Sequence, residues 1–268
     1  MTTPILALDK ISKRFGAIVI ADGIDLALGE GEALGIIGPN GAGKTTLFGI
    51  ISGMVAPDSG RVLYAGSDIT HMPPARRCAL GIGKSAGETS AGEKSAGEKS
   101  AGEKSGIGRS FQIPLPFGGM SVFENLVVAA AFGANRRERD AYQACMDILE
   151  RCGLADKANR PAGSLTLLDR KRLELARALA TDPAVLLLDE VAGGLTEHEC
   201  QALIELIRDV RRGGVSIVWI EHVVHALIAS IDRLLVLHNG GFIAEGDPAA
   251  VIKSPQVAEI YMGIEADA

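Results

Sequence analysis

The chain has 268 residues, 47% of them apolar, and its 27 lysines and arginines against 33 aspartates and glutamates give a net charge of −6. A chain of this size and apolar content can bury one large α/β core, or a core with a smaller subdomain, and is not globally disordered. Its acidic balance, with a pI of about 5.5, supplies no basic stripe for nucleic acid and no reason for attraction to an anionic lipid surface.

At the N-terminus no basic segment precedes an apolar run, which argues against a secretory signal. Ile5–Leu8 and Gly23–Leu28 read as short strands, and Ala33–Ile37 as a buried one. That strand ends on Gly38-Pro39-Asn40-Gly41-Ala42-Gly43-Lys44-Thr45-Thr46, and Leu47–Ser52 then reads as a helix. From Gly81 to Ser110 the chain is a period-five array: Gly-Ile-Gly-Lys-Ser, Ala-Gly-Glu-Thr-Ser, three copies of Ala-Gly-Glu-Lys-Ser, then Gly-Ile-Gly-Arg-Ser. Removing one 25-residue length, the distance from Gly81 to Gly106, leaves a continuous Gly-Ile-Gly-Arg-Ser-Phe-Gln. Five residues with no apolar side chain beyond alanine make no packable solenoid unit, and four lysines balance four glutamates from Lys84 to Lys104. Residues 84–108 therefore read as a flexible, solvated insertion. Because loop closure grows only logarithmically with length, the insertion costs on the order of 1–2 kcal/mol.

Residues from about Ser121 to Leu179 are mostly helical, with Val122, Leu126 and Val127, and then Cys145, Ile148 and Leu149, at helical spacing. After Pro183 the pattern is α/β: strand Val185–Leu188, amphipathic helix Glu199–Arg212, strand Val215–Ile220 and strand Leu234–Leu237. A strand-helix-strand series of this kind predicts a mainly parallel sheet covered by helices. The expected organisation is one domain, with a nucleotide-binding core over 1–113 and 181–268 and a helical subdomain over 114–180. No apolar run is long enough to span a bilayer. Four cysteines (Cys78, Cys145, Cys152, Cys200) lack metal-ligand or CxxC spacing and read as reduced thiols.

The pattern Gly38-x4-Gly43-Lys44-Thr45 is a complete Walker A phosphate loop, set between a strand and a helix as that motif requires. Its glycines let the backbone curl so that successive N–H groups converge on phosphate oxygens, and the helix adds its positive end. Lys44 is expected to reach the β- and γ-phosphates of ATP, and the Thr45 hydroxyl to bind Mg²⁺. Val185–Leu188 followed by Asp189 and Glu190 is a Walker B candidate. Asp189 is expected to hold Mg²⁺ and Glu190 to polarise the attacking water.

Through these motifs the chain resembles the nucleotide-binding subunits of ABC transporters over nearly its whole length outside the array. The resemblance implies a P-loop NTPase core, mainly parallel with an N-terminal antiparallel β part, and an inserted α-helical subdomain. It matches Phe15 to the aromatic that stacks on adenine, with a core phenylalanine as the alternative. It matches Gln112 to the Q-loop glutamine, a catalytic and metal contact, and His222 to the switch histidine on the γ-phosphate.

Two motifs depart from the family. Where the signature reads Leu-Ser-Gly-Gly-Gln, this chain has Leu165-Thr166-Leu167-Leu168-Asp169, so both glycines become leucine. Leu168 is expected to hinder backbone approach to a phosphate, and Asp169 to add negative charge beside it. In the D-loop Thr196 stands where the family has aspartate. Subunits of this family dimerise head to tail, so the departures point to a heterodimer with a second, related ATPase that carries an intact signature.

Gly106–Gln112, Met120–Leu126, Gly241–Pro248 and Val257–Gly263 make the resemblance closest to the ATPases of bacterial branched-chain amino-acid uptake systems. Urea or amide transport and lipopolysaccharide export are the alternatives within the family, and a regulatory subunit with weak hydrolysis is another. The implied partners are integral membrane permeases and, indirectly, a periplasmic or extracellular solute-binding protein. The implied location is the cytoplasmic face of the membrane, peripheral to it, with no nucleic acid involved.

Overall fold

A computed structural model describes residues 3–80, 106–110, 116–134, 136–221 and 224–262. Strands β1 (Leu6–Phe15), β2 (Ile18–Leu28), β3 (Ala33–Ile37) and helix α1 (Lys44–Ser52) open the chain, followed by β4 (Ser59–Tyr64), β5 (Ser67–Asp68) and α2 (Pro74–Cys78). The edge strand β6 (Ile107–Arg109) leads to three helices, α3 (Val122–Gly133), α4 (Glu138–Arg151) and α5 (Leu167–Ala180). The chain then alternates through β7 (Val185–Asp189), α6 (Glu197–Arg212), β8 (Ser216–Ile220), α7 (Val224–Ile228), β9 (Arg233–His238), β10 (Gly241–Gly246), α8 (Pro248–Ile252) and α9 (Pro255–Met262).

The strands form two sheets. The antiparallel one has the order β2-β1-β4-β5, and the six-stranded one the order β10-β9-β3-β8-β7-β6. In the larger sheet β9, β3, β8, β7 and β6 are parallel and only β10 runs against its neighbour. Every residue of β3, β7 and β8 is buried, which is why these strands are continuous apolar runs rather than alternating ones.

Alternation reappears in what each face meets. Leu34, Ile36, Leu187, Val218 and Leu235 pack with α1 residues Leu47, Phe48, Ile50 and Ile51 and with the small sheet's Leu6, Leu8, Ile11 and Val62. Ile37, Leu186, Leu188, Trp219 and Val236 pack instead with α5, α6 and the helical segment. Helix α1 is therefore sandwiched between the two sheets. Among the described residues no helix is long and apolar enough to cross a membrane.

Caps fix the helix starts. Ser121 with Glu124 and Thr196 with Glu199 form reciprocal capping boxes on α3 and α6. The end of α1 is closed by a side chain from elsewhere. Arg77, 1% exposed, donates to the carbonyls of Ile50 (2.7 Å) and Ile51 (2.8 Å), and also to Met72 (2.9 Å) and Thr70 (2.8 Å). One guanidinium thus serves the Ile51 carbonyl and, alongside the Gly53 N–H at 3.2 Å, the Ile50 carbonyl, and ties α2 to the underside of the phosphate-loop helix.

The insertion read over 84–108 falls mostly outside the described residues, but its end does not. Ile107 and Gly108 pair with Val185 and Leu186 in the core sheet, so the last two residues of the 84–108 span belong to a strand. A three-residue strand inside a near-copy of the repeat unit carries no periodicity to separate it. The flanks of the array meet: a Cβ built on Gly106 would lie 2.1 Å from the Cys78 carbonyl oxygen, and Gly106 has φ of +76°. The Gly106 N–H donates to the Tyr64 hydroxyl at 3.1 Å. Only glycine suits that position, on both conformational and steric grounds.

Two outcomes test these contacts. Excising residues 81–105 should leave a protein that folds and binds ATP as the full chain does, with a thermal midpoint unchanged or slightly higher; loss of folding would mean the array contributes packing. Arg77→Met should lower stability by about 3 kcal/mol in urea unfolding, because two helix carbonyls lose buried donors.

Candidate functional site

The loop from Gly38 to Thr46 leaves β3 and enters α1 through backbone positions that exclude side chains. A Cβ on Gly38 would lie 2.2 Å from the Leu237 carbonyl oxygen, and one on Gly43 2.8 Å from the Ile20 carbonyl oxygen. Gly41 and Gly43 have φ of +81° and +101°. Between them, Pro39 accepts from the Ala42 N–H at 3.2 Å. Asn40 and Thr45 are exposed and Thr46 half-buried. No side chain caps α1, whose N-cap is Gly43, and no acid lies in its first turn. The first-turn N–H groups therefore have no acceptor among the described residues, as an anion site requires.

Lys44 is 6% exposed. Its ammonium donates to the carbonyls of Gly38 (2.7 Å) and Pro39 (3.0 Å), which holds it inside the curl of the loop. Burial pulls its pKa down, while Glu190 and Asp189 pull it back up. Those two acids and the lysine thus share one electrostatic site.

Asp189 ends β7, which brings it beside Ile220 of β8. It is 3% exposed, and burial raises its pKa against the opposing pull of Arg109. Arg109 Nη2 lies 2.9 Å from Asp189 Oδ2. Glu190, the next residue, has φ of +49°, a left-handed conformation that costs a non-glycine residue roughly 1 kcal/mol. Its N–H donates to the Ile220 carbonyl at 2.9 Å, which holds the turn in place.

Two buried charges support that turn from below. Lys171 of α5, 6% exposed, approaches the Glu190 carbonyl oxygen at 3.5 Å. Its pKa is lowered by burial and raised by Glu221 and Glu190. Glu221, 1% exposed, accepts from the Ala192 N–H at 2.7 Å. Sequence reasoning passed over Arg109, Lys171 and Glu221. Their one signal was a charge in or beside an otherwise buried element.

Phe15 is 51% exposed at the end of the β1–β2 hairpin, so the core alternative is excluded. The Lys13 ammonium lies 5.3 Å from its ring centroid. On the partner strand of the same hairpin, β2, Ile20 packs against Gly43, so the hairpin that ends β1 at Phe15 lies over the phosphate loop through β2. Gln112 and His222 lie outside the described residues. Their described neighbours reach the same sheet edge: the Ser110 N–H donates to Leu187 at 3.0 Å, and Glu221 directly follows β8.

At the degenerate signature, Thr166 is the N-cap of α5, its side chain accepting from the Asp169 N–H at 3.3 Å. Leu167 is 45% exposed and Asp169 only 5%. Asp169 does not present the negative charge expected of it beside a phosphate. It turns inward to Lys157 at 2.7 Å and Arg172 at 3.7 Å, which neutralise it. The pairing joins positions twelve residues apart and is invisible in the motif itself. In the D-loop, Thr196 caps α6: its N–H and hydroxyl both donate to the Glu199 carboxylate, at 2.9 and 2.8 Å. A threonine serves there because it is a good N-cap, as aspartate is.

Comparison with known proteins agrees with this geometry. Residues 21–193 match the family described as ABC transporter. The chain is 33% identical over 261 residues to a probable ABC transporter ATP-binding protein of Azorhizobium caulinodans, covering 97% of this chain and 83% of that one. It is 32% identical over 278 residues to the high-affinity branched-chain amino acid transport ATP-binding protein LivG of Escherichia coli, covering 98% and 99%. A solved structure, the ADP conformation of MJ1267, an ATP-binding cassette of an ABC transporter, matches with a TM-score of 0.82 at 30% identity, over 98% of this chain and 100% of that one. With a family match over more than half its length and relatives aligned along nearly all of it, the chain belongs to the ABC transporter family, as an ATP-binding subunit of the kind that couples ATP hydrolysis to transport.

Proposed function

We propose that this chain drives an ABC importer for branched-chain amino acids or a related small polar solute. It would act at the cytoplasmic membrane face against integral permeases, with a solute-binding protein delivering the solute. Relatives that are named for branched-chain amino-acid transport and align over nearly the whole chain support this choice of solute. The solute itself never meets this subunit, so the site's geometry bears on ATP alone.

In this reading the adenine stacks on Phe15, and the amides from Gly41 to Thr46 take the phosphates while the Lys44 ammonium moves onto the β- and γ-oxygens. Hard oxygen donors fit Mg²⁺, which binds few protein ligands and keeps several waters. The Thr45 hydroxyl and Asp189 carboxylate, with Gln112, would hold it, and it would neutralise charge on the transferring phosphoryl group. Glu190 accepts a hydrogen bond from the attacking water and His222 contacts the γ-phosphate. The left-handed turn at Glu190, fixed by Ile220 and Lys171, sets the carboxylate's approach.

The signature supports a heterodimer. With Asp169 neutralised, the obstacle that remains is steric, from Leu167 and Leu168 at the start of α5. A partner ATPase with glycines there would close properly over this chain's phosphate loop.

Two experiments test these proposals. Glu190→Gln should cut phosphate release by about 10²–10⁴ while ATP binding persists; unchanged turnover would remove Glu190 from the reaction. The chain purified alone should hydrolyse ATP slowly and gain at least about tenfold with a second ATPase that has an intact signature, a gap of about 1.4 kcal/mol in barrier. Brisk, cooperative turnover by the isolated homodimer would overturn the heterodimer.

A further inference from the structure

Arg109 stands on the edge strand β6, where a long cationic side chain would ordinarily turn to solvent. Instead its side chain is only 9% exposed and points across β7 to Asp189, itself 5% exposed by side chain, with Nη2 to Oδ2 at 2.9 Å. The guanidinium lies 5.7 Å from the Phe48 ring centroid and reaches Ser52 Oγ at 3.4 Å and Met54 Sδ at 3.5 Å. One group therefore touches the phosphate-loop helix and the Walker B carboxylate, three residues ahead of Gln112.

Stability alone does not account for this pair. A buried ion pair contributes little over apolar side chains of the same shape, yet losing one partner is expensive because a charge is left uncompensated. Asp189 faces that second problem if it is a metal carboxylate, since each turnover would remove the cation from beside a buried anion. Lys44 acts on Asp189 only through space, its ammonium hydrogen-bonding the carbonyls of Gly38 and Pro39, whereas Arg109 contacts the carboxylate directly.

We propose that Arg109 is a positioning residue that carries the counter-charge of Asp189 whenever the cation is away, so that guanidinium and Mg²⁺ alternate on one carboxylate. The proposal rests on the reading of Asp189 as the metal carboxylate. It makes Arg109 a competitor of the metal as well as a support for Asp189. Arrival of the cation releases a guanidinium at the head of the segment that contains Gln112.

The test uses the full chain with Arg109→Met, Arg109→Gln and Arg109→Lys. Thermal midpoints are read in EDTA without nucleotide and with saturating Mg²⁺ and a non-hydrolysable ATP analogue. The affinity of the analogue complex for Mn²⁺ is read by electron paramagnetic resonance. Arg109→Met should lower the metal-free midpoint by about 5–10 °C and leave the loaded form within about a degree of wild type. Its Mn²⁺ affinity should rise about tenfold, since the competitor is gone. Arg109→Gln should shift both readings in the same directions, and it decides the matter if the methionine variant does not fold. Arg109→Lys, which keeps the charge, should stay near wild type.

Equal loss of stability in both forms, or an Mn²⁺ affinity that is unchanged or weaker, would mean a purely structural role and overturn the proposal. If wild type binds the analogue equally well with Mn²⁺ and with EDTA, and Asp189→Asn binds Mn²⁺ as wild type does, the metal reading itself has failed. That result is separate from the Arg109 comparison and also removes the proposal's basis.

Discussion

The phosphate loop is clamped between strands of two different sheets, with room for backbone only. Gly38 lies against β9 of the six-stranded sheet and Gly43 against β2 of the antiparallel one. Because the loop bridges that junction, the helix it starts must run between the sheets, where Leu47, Phe48, Ile50 and Ile51 fill the space. At the far end of this short helix, within an apolar layer, Arg77 supplies a donor to the Ile51 carbonyl and a second one to the Ile50 carbonyl, which the Gly53 N–H also serves. A loop held at both contacts keeps its amides converged without relying on a ligand to shape them, which is how an anion site is preorganised.

Around that clamp the fold arranges buried charges of alternating sign. Lys44 sits by Asp189 and Glu190; Arg109 engages Asp189; Lys171 interacts with Glu190 and Glu221. Each is costly alone and tolerable beside its neighbours. The arrangement also joins elements that are far apart in the chain. Lys171 belongs to the helix that starts at the signature, so Thr166–Asp169 and the support of the turn at Glu190 are parts of one rigid element. Arg109 makes the matching link on the opposite side, from Asp189 to the strand β6.

How much of this was legible in the sequence follows from what the signals encode. Central strands β3, β7 and β8 are covered on both faces, so they stand out as apolar runs, and glycine spacing marks the loop because close backbone approach admits nothing else. Side-chain partners are set by the tertiary fold. The inward turn of Asp169 depends on Lys157 from the turn after α4, and the exposure of Phe15 depends on hairpin geometry that a single aromatic cannot reveal. Strand β6 escaped because three residues are too few for a period, and because Gly106-Ile107-Gly108-Arg109-Ser110 nearly duplicates the unit that opens the array.

That duplication bears on how the fold carries the array. The flanks are pinned independently: Arg77 fixes α2 just ahead of it, and Tyr64 and the Cys78 carbonyl hold Gly106 just after it. Since Gly106 also accepts from the Ala184 and Val185 N–H groups, the return point is fixed by the core sheet rather than by the length of chain preceding it. For five-residue units that add loop length alone between two fixed points, the cost is closure entropy, which rises with the logarithm of loop length. The register of β6, and with it the position of Arg109 over Asp189, is thus set by contacts of Gly106, Ile107 and Gly108 with the core and not by the array before them.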